Sequence, residues 1–132
     1  MDEAKLAKWS AAASYFRVVE LDGKVAAFLM GFRKGDDYAG VNFAWFAQRY
    51  SDFVYVDRIV VAPDYRGRKL ADLLYDDFEK FARERVIRHL TCEVNAEPPN
   101  PVSLRFHERR GFKEVGREEY AGKTVSMLHC PL

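Results

Sequence analysis

At 132 residues the chain is long enough for one hydrophobic core and too short for two. Its 21 basic residues are balanced by 20 acidic ones, so no broad positive field points to nucleic acid as a main partner. The longest apolar stretch, residues 25–32, is too short to span a membrane, no signal-peptide pattern opens the chain, and Cys92 and Cys130 suggest reduced thiols rather than a disulfide framework, all of which fits a cytoplasmic protein.

Leu6, Trp9 and Ala13 recur at helical spacing, so residues 2–13 read as a helix, with Asp2 and Glu3 in its first turn. Residues 15–21 and 24–33 read as two strands joined at Asp22-Gly23, a strong hairpin signal. After a loop over 34–40 comes the short aromatic stretch 42–50, with Phe43, Trp45, Phe46 and Tyr50. It is either a helix capped by Asn42 or a loop folded over a pocket, and core filling is as good a reason for its rings as a substrate. Residues 53–62 are apolar on both alternating faces, the pattern of a central strand covered on both sides. Asp57 and Arg58 interrupt it and are expected to point to opposite faces, each with a partner or a task, a structural ion pair being the plainer alternative for both.

Residues 70–85 carry apolar side chains at 70, 73, 74, 78, 81 and 82, an amphipathic helix. Residues 89–95 read as a strand. The loop at 97–101 ends by starting a helix, with Asn100 as N-cap and Pro101 as first helical residue, and Gly111 stops it. Residues 113–119 and 123–128 make a closing strand pair around Ala121-Gly122. Strands alternating with helices in this order imply α/β or α+β layers around one mixed sheet in a single domain over residues 1–132.

The turn between the strand ending at residue 62 and the helix starting at 70 holds Arg66, Gly67, Arg68 and Lys69. Unpaired first-turn amides, the positive end of the helix dipole and three basic side chains together make a phosphate site. A basic, solvated turn is the plainer alternative. His89 and Cys92, and His129 and Cys130, lie close in sequence but on opposite strand faces, so neither pair chelates a metal and none is expected. The glycine patterns of dinucleotide and ATP sites are absent.

Two stretches now resemble one family. Val61-Ala-Pro-Asp-Tyr-Arg-Gly-Arg-Lys-Leu-Ala71 is similar to the acyl-CoA signature of the GCN5-related N-acetyltransferases (GNAT), and Asn100-Pro-Val-Ser-Leu-Arg-Phe-His-Glu-Arg-Arg-Gly-Phe112 is similar to their second signature. The resemblance implies a mostly antiparallel mixed sheet with helices on both faces, splayed between the strands at 53–62 and 89–95. It implies acetyl-CoA or coenzyme A as co-substrate, with Arg66, Gly67, Arg68, Lys69, Leu70 and Ala71 around the pyrophosphate. Asn100, Ser103 and Phe106 would flank the pantetheine and adenosine, and the strand with Ile59, Val60 and Val61, together with Asn95, would line the wedge. The acceptor implied is a small-molecule or peptide amine.

Three departures stand out. Lys69 occupies a usual Gly position, where a Lys can still serve if its backbone is helical and its side chain turns outward. His107 replaces a Tyr that in the family acts as general acid. The family's first strand and helix are missing, so the chain reads as truncated or short, and the strand at 15–21 as an edge open to homodimer formation. The resemblance implies Glu93 as the first candidate base, since relatives that acetylate protein N-termini use a Glu at the matching strand position where Cys92-Glu93-Val94 stands here; Glu93 shares a strand face with Thr91 and Asn95, and a structural pair with an Arg is the alternative. Asp57 is the second candidate base. His107 is the candidate acid or, alternatively, a polar residue on the outer face of its helix, and its role and that of Glu93 are open to exchange. A module that binds acyl-CoA without transferring its acyl group is the competing function.

Overall fold

The structure, a computed structural model, describes residues 11–97 and 99–132. The helix expected over residues 2–13 lies, but for its last three residues, outside the described ones. The described elements run β1 (Tyr15–Leu21), β2 (Lys24–Arg33), α1 (Val41–Ala47), β3 (Val54–Val61), a 3-10 turn (Pro63–Tyr65), α2 (Leu70–Glu84), β4 (His89–Glu97), α3 (Pro101–Arg109), β5 (Lys113–Tyr120) and β6 (Lys123–Pro131). Asp22 and Gly23 both adopt positive φ (55° and 72°), the geometry a two-residue hairpin loop needs.

The six strands form one sheet in the order β1-β2-β3-β4-β6-β5. Every neighbouring pair is antiparallel except β3–β4, whose parallel pairing follows from the crossover through α2. That parallel pair is short: Val54 meets Leu90 and Tyr55 meets Thr91. Beyond Tyr55, β3 stays paired with β2 as far as Val61, and β4 stays paired with β6 as far as Glu97. The two strands therefore part in the middle of the sheet. Their facing edges keep backbone donors and acceptors that the sheet itself does not satisfy.

Two cores flank the sheet. On one face α2 covers Val54, Val56, Leu90, Cys92 and Leu128 with Leu74, Tyr75 and Phe78, and α3 adds Leu104 and Phe106. Phe78 lies so close over β2 that a Cβ at Gly31 would come within 2.4 Å of its ring. On the other face α1 sets Phe43 and Phe46 against Phe32, Phe53, Tyr55 and Met127. The stretch expected at 42–50 is thus helical as far as Ala47, but Gly40 caps it, not Asn42.

β3 carries a bulge. Gly31 pairs with Val56 and Met30 with Arg58, which leaves Asp57 without a counterpart. The bulge overturns the expectation that Asp57 and Arg58 point to opposite faces. Their side chains instead pair, Arg58 Nε lying 2.9 Å from Asp57 Oδ2.

Candidate active site

The phosphate turn is built as its residues dictate. Gly67 takes a φ of +79° and Lys69 a φ of 60°, so the chain twists through two left-handed residues before α2 begins. Left-handed backbone favours Gly, which is the physical reason for Gly where Lys69 stands. Lys69 thus does not take the ordinary right-handed helical backbone under which a Lys would fit this position. The Lys69 side chain makes no capping hydrogen bond, so the first amides of α2 stay open to an anion.

From this turn a cleft runs between the end of β3, the start of α2 and one face of α3. Its outer part, about 370 Å³, is walled by Gly67, Lys69, Leu70 and Arg109. Its inner part, about 520 Å³, is walled by Ile59, Asn100, Ser103 and His107. Val61, Arg66, Ala71, Val102 and Phe106 border both parts. Asn100 caps α3, its side chain accepting from Ser103 N at 3.3 Å, and this fixes the wall that carries Ser103 and His107.

Glu93 sits on β4 where the strands part, on the opposite face of the sheet from the cleft helices. Tyr55 OH donates to Glu93 Oε2 at 2.7 Å. Burial raises the Glu93 carboxyl above its ordinary range, hydrogen bonding from Tyr55 and Asn42 opposes that shift, and the Asp57 charge adds to it. No Arg pairs with it among the described residues. Asp57 is differently placed: its side chain is 5% exposed and both oxygens are engaged, one by Tyr38 OH and the other by Arg58.

His107 is 4% exposed and faces the inner cleft, not the outer face of its helix. Its Nδ1 lies 2.7 Å from the Ser103 carbonyl, to which it donates, so Nε2 is the acceptor for Tyr75 OH at 2.6 Å. Both ring nitrogens are committed, and burial lowers the imidazole's pKa. A neutral ring in this tautomer has no proton to give into the cleft.

Of the other residues singled out by sequence, Val60 is 43% exposed. Arg68 lies over the Tyr65 ring at 5.1 Å, and Asn95 is on β4, its carbonyl accepting from Asn100 N. None of these three side chains walls the cleft. Sequence reasoning passed over Tyr75, Tyr55, Tyr38 and Asn42. Tyr75 lies one helical turn beyond Ala71 and so on the cleft side of α2, which is the signal that marks it. Among the described residues no three His, Cys, Asp or Glu side chains gather as a metal site. His89 and His129 do meet, but across strands, with Nδ1 and Nε2 2.8 Å apart under the Tyr50 ring.

The chain matches the Acetyltransferase (GNAT) family over residues 1–112. Comparison with curated protein sequences gave no match. Among solved structures it is similar to Ard1 from Thermoplasma volcanium, with 16% identity and a TM-score of 0.80 over 100% of this chain and 80% of that one. The ribosomal-protein-S18-alanine N-acetyltransferase from Escherichia coli superposes with 18% identity and a TM-score of 0.76 over 99% of this chain and 77% of that one. A structure from Bacillus anthracis str. Ames, in complex with acetyl coenzyme A, does so with 14% identity and a TM-score of 0.69 over 89% of this chain and 61% of that one. No helix among the described residues is long and apolar enough to cross a membrane.

Proposed function

The chain belongs to the GNAT family of acetyltransferases, and on that premise we propose that it moves an acetyl group from acetyl-CoA to a primary amine by direct attack, with Glu93 as base. The observation that carries this reading is the parting of β3 and β4 between a phosphate-fitted cleft on one face and a buried carboxylate on the other.

The pyrophosphate lies against the first amides of α2, held by residues 66–71, with Arg66 and Lys69 supplying charge. Arg68, directed toward Tyr65, meets the 3′-phosphate at the rim. The pantetheine passes Ser103 and Phe106 along the inner cleft and hydrogen-bonds the free edge of β3 at Ile59, Val60 and Val61. The thioester then reaches the parting of the strands. The amine lone pair attacks the carbonyl carbon, the new C–N bond forms, the C–S bond breaks, and coenzyme A leaves as thiolate. One amine proton passes to Glu93, directly or through one water. Thiols of this kind have a pKa of about 8.5, so the thiolate departs without an obligatory acid. His107 holds the cleft wall in place through Tyr75 and Ser103 and is a positioning residue. Asp57, saturated by Tyr38 and Arg58, acts on Glu93 through its charge alone.

A second reading, binding of acyl-CoA without transfer, draws on the left-handed Lys69 and the committed His107 nitrogens. Release of free thiol from acetyl-CoA, with and without a panel of amino acids, peptides, polyamines and aminoglycosides, separates the two. Transfer predicts that a primary amine accelerates release and appears acetylated in the mass spectrum. Calorimetric binding of coenzyme A with no amine-dependent release supports the second reading.

A further inference from the structure

The polar side chains that wall the inner cleft are those of Arg66, Asn100, Ser103 and His107. Arg66 belongs to the phosphate turn. Asn100 stands where α3 begins, its backbone N–H on the Asn95 carbonyl and its side-chain oxygen on Ser103 N. His107 gives its one ring N–H to the Ser103 carbonyl and accepts from Tyr75 at the other nitrogen. Ser103 differs from all three. Its Oγ lies 3.3 Å from His107 Nδ1. That nitrogen carries the ring's proton, as its 2.7 Å approach to the carbonyl requires, so the hydroxyl can only accept there. No acceptor among the described residues takes the hydroxyl's own proton. A hydroxyl with a donor on one side and open cleft on the other presents its O–H to whatever the cleft holds.

We propose that the Ser103 hydroxyl donates a hydrogen bond to the sulfur of the coenzyme as the thioester breaks. This rests on the transfer reading above. Glu93 lies on the far face of the split, so an amine that meets it attacks the carbonyl carbon at the split itself. The sulfur is then left on the cleft side, beside Ile59 of β3 and the face of α3 that carries Ser103 and His107. A thioester sulfur is a poor acceptor and a thiolate a strong one, so the bond tightens as the C–S electron pair passes to sulfur. The contact therefore lowers the barrier more than it strengthens binding of acetyl-CoA. No proton is transferred in this step: the hydroxyl keeps its own, and the thiolate leaves as such and takes a proton from water. His107 steers the hydroxyl through a long contact only, so loss of the ring leaves the donor in place.

Ser103→Ala tests this, since it removes the hydroxyl and keeps the backbone N–H that Asn100 caps. The first readout is the ultraviolet absorbance of the thiolate of bound coenzyme A, titrated with no amine present. Ser103→Ala raises the pH at which the bound thiol ionises by about one to two pH units, the counterpart of a hold on the thiolate about ten- to hundredfold weaker. The second readout is thiol release from acetyl-CoA with the best amine of the panel above. The same variant lowers kcat about ten- to hundredfold and leaves KM for acetyl-CoA within about twofold. Equal thiol titrations in wild type and Ser103→Ala overturn the proposal. So does a raised KM with kcat unchanged, which would make Ser103 a contact of the pantetheine arm alone. If wild type binds coenzyme A but no amine speeds release, the transfer reading falls by itself, and the thiol titration still decides whether Ser103 meets the sulfur.

Discussion

Burial sends Glu93 and His107 in opposite directions, and both shifts have measurable consequences. The Glu93 carboxyl holds its proton more tightly in the folded chain than in the unfolded one. Its charge therefore lowers stability as pH rises from the unfolded value of about 4.3 through the raised folded value. Glu93→Gln should be more heat-stable than wild type at pH 8, with the gap closing toward pH 4, by calorimetry. The imidazole of His107 binds its proton more weakly when folded, so its contribution is lost as pH falls from about 6.5 through its lowered folded value. Its hydrogen bond to Tyr75 is fully buried. His107→Phe and Tyr75→Phe each leave one buried polar atom unpaired and should each cost about 1–3 kcal/mol in urea unfolding. The double variant should cost less than their sum. His107→Phe should keep kcat within about threefold, because the ring moves no proton. A hundredfold loss without loss of fold would assign it the acid role after all.

Between elements, Arg110 joins the two helices that wall the cleft. It follows α3 and reaches three carboxylates of α2: Asp72 at 2.8 Å, Asp76 at 2.6 Å and Glu79 at 2.6 Å. Asp76 is largely exposed, so that arm adds little, while Arg110 and Glu79 are mostly shielded. Removing the guanidinium leaves a like-charge cluster. Arg110→Met should cost about 2–3 kcal/mol by urea unfolding and weaken coenzyme A binding by calorimetry, since the wall spacing is no longer held. Unchanged coenzyme A affinity in a destabilised variant would confine Arg110 to stability. The local signals of α3 were legible: Asn100, Pro101 and Gly111 are sequence-adjacent to what they cap. The bulge at Asp57 was not, because it exists only in register with β2. Likewise the left-handed Lys69 is imposed by the join of turn and helix, against the preference of its side chain. Asn42 reads as a cap, yet the chain turns into α1 two residues earlier.

The whole molecule is two half-sheets joined at a short parallel seam. β1, β2 and β3 form one half, and β4, β6 and β5 the other. The β1–β2 and β5–β6 hairpins were legible because each is local, and the split between β3 and β4 was implied by the resemblance of the two motifs, whereas the β2–β3 and β4–β6 pairings join strands separated by whole elements. The Glu93–Tyr55 and His107–Tyr75 pairs were not legible, because each links residues on different elements, 38 and 32 positions apart. A ligand lying in the split touches both halves. Coenzyme A at a hundred times its dissociation constant should therefore stabilise the fold by about 2.7 kcal/mol, and slow amide exchange on β3 and β4 together. Protection of one strand alone would place the ligand elsewhere. The central claim is that Glu93 deprotonates an amine at this split, and the direct measurement is amine-dependent thiol release by wild type and Glu93→Gln across pH 5–10. Glu93→Gln should bind acetyl-CoA as wild type does, lose about 10²–10⁴ in kcat, and lose the acid limb that wild type shows above the ordinary carboxylate range. A Glu93→Gln enzyme with full kcat and the same pH profile would contradict it.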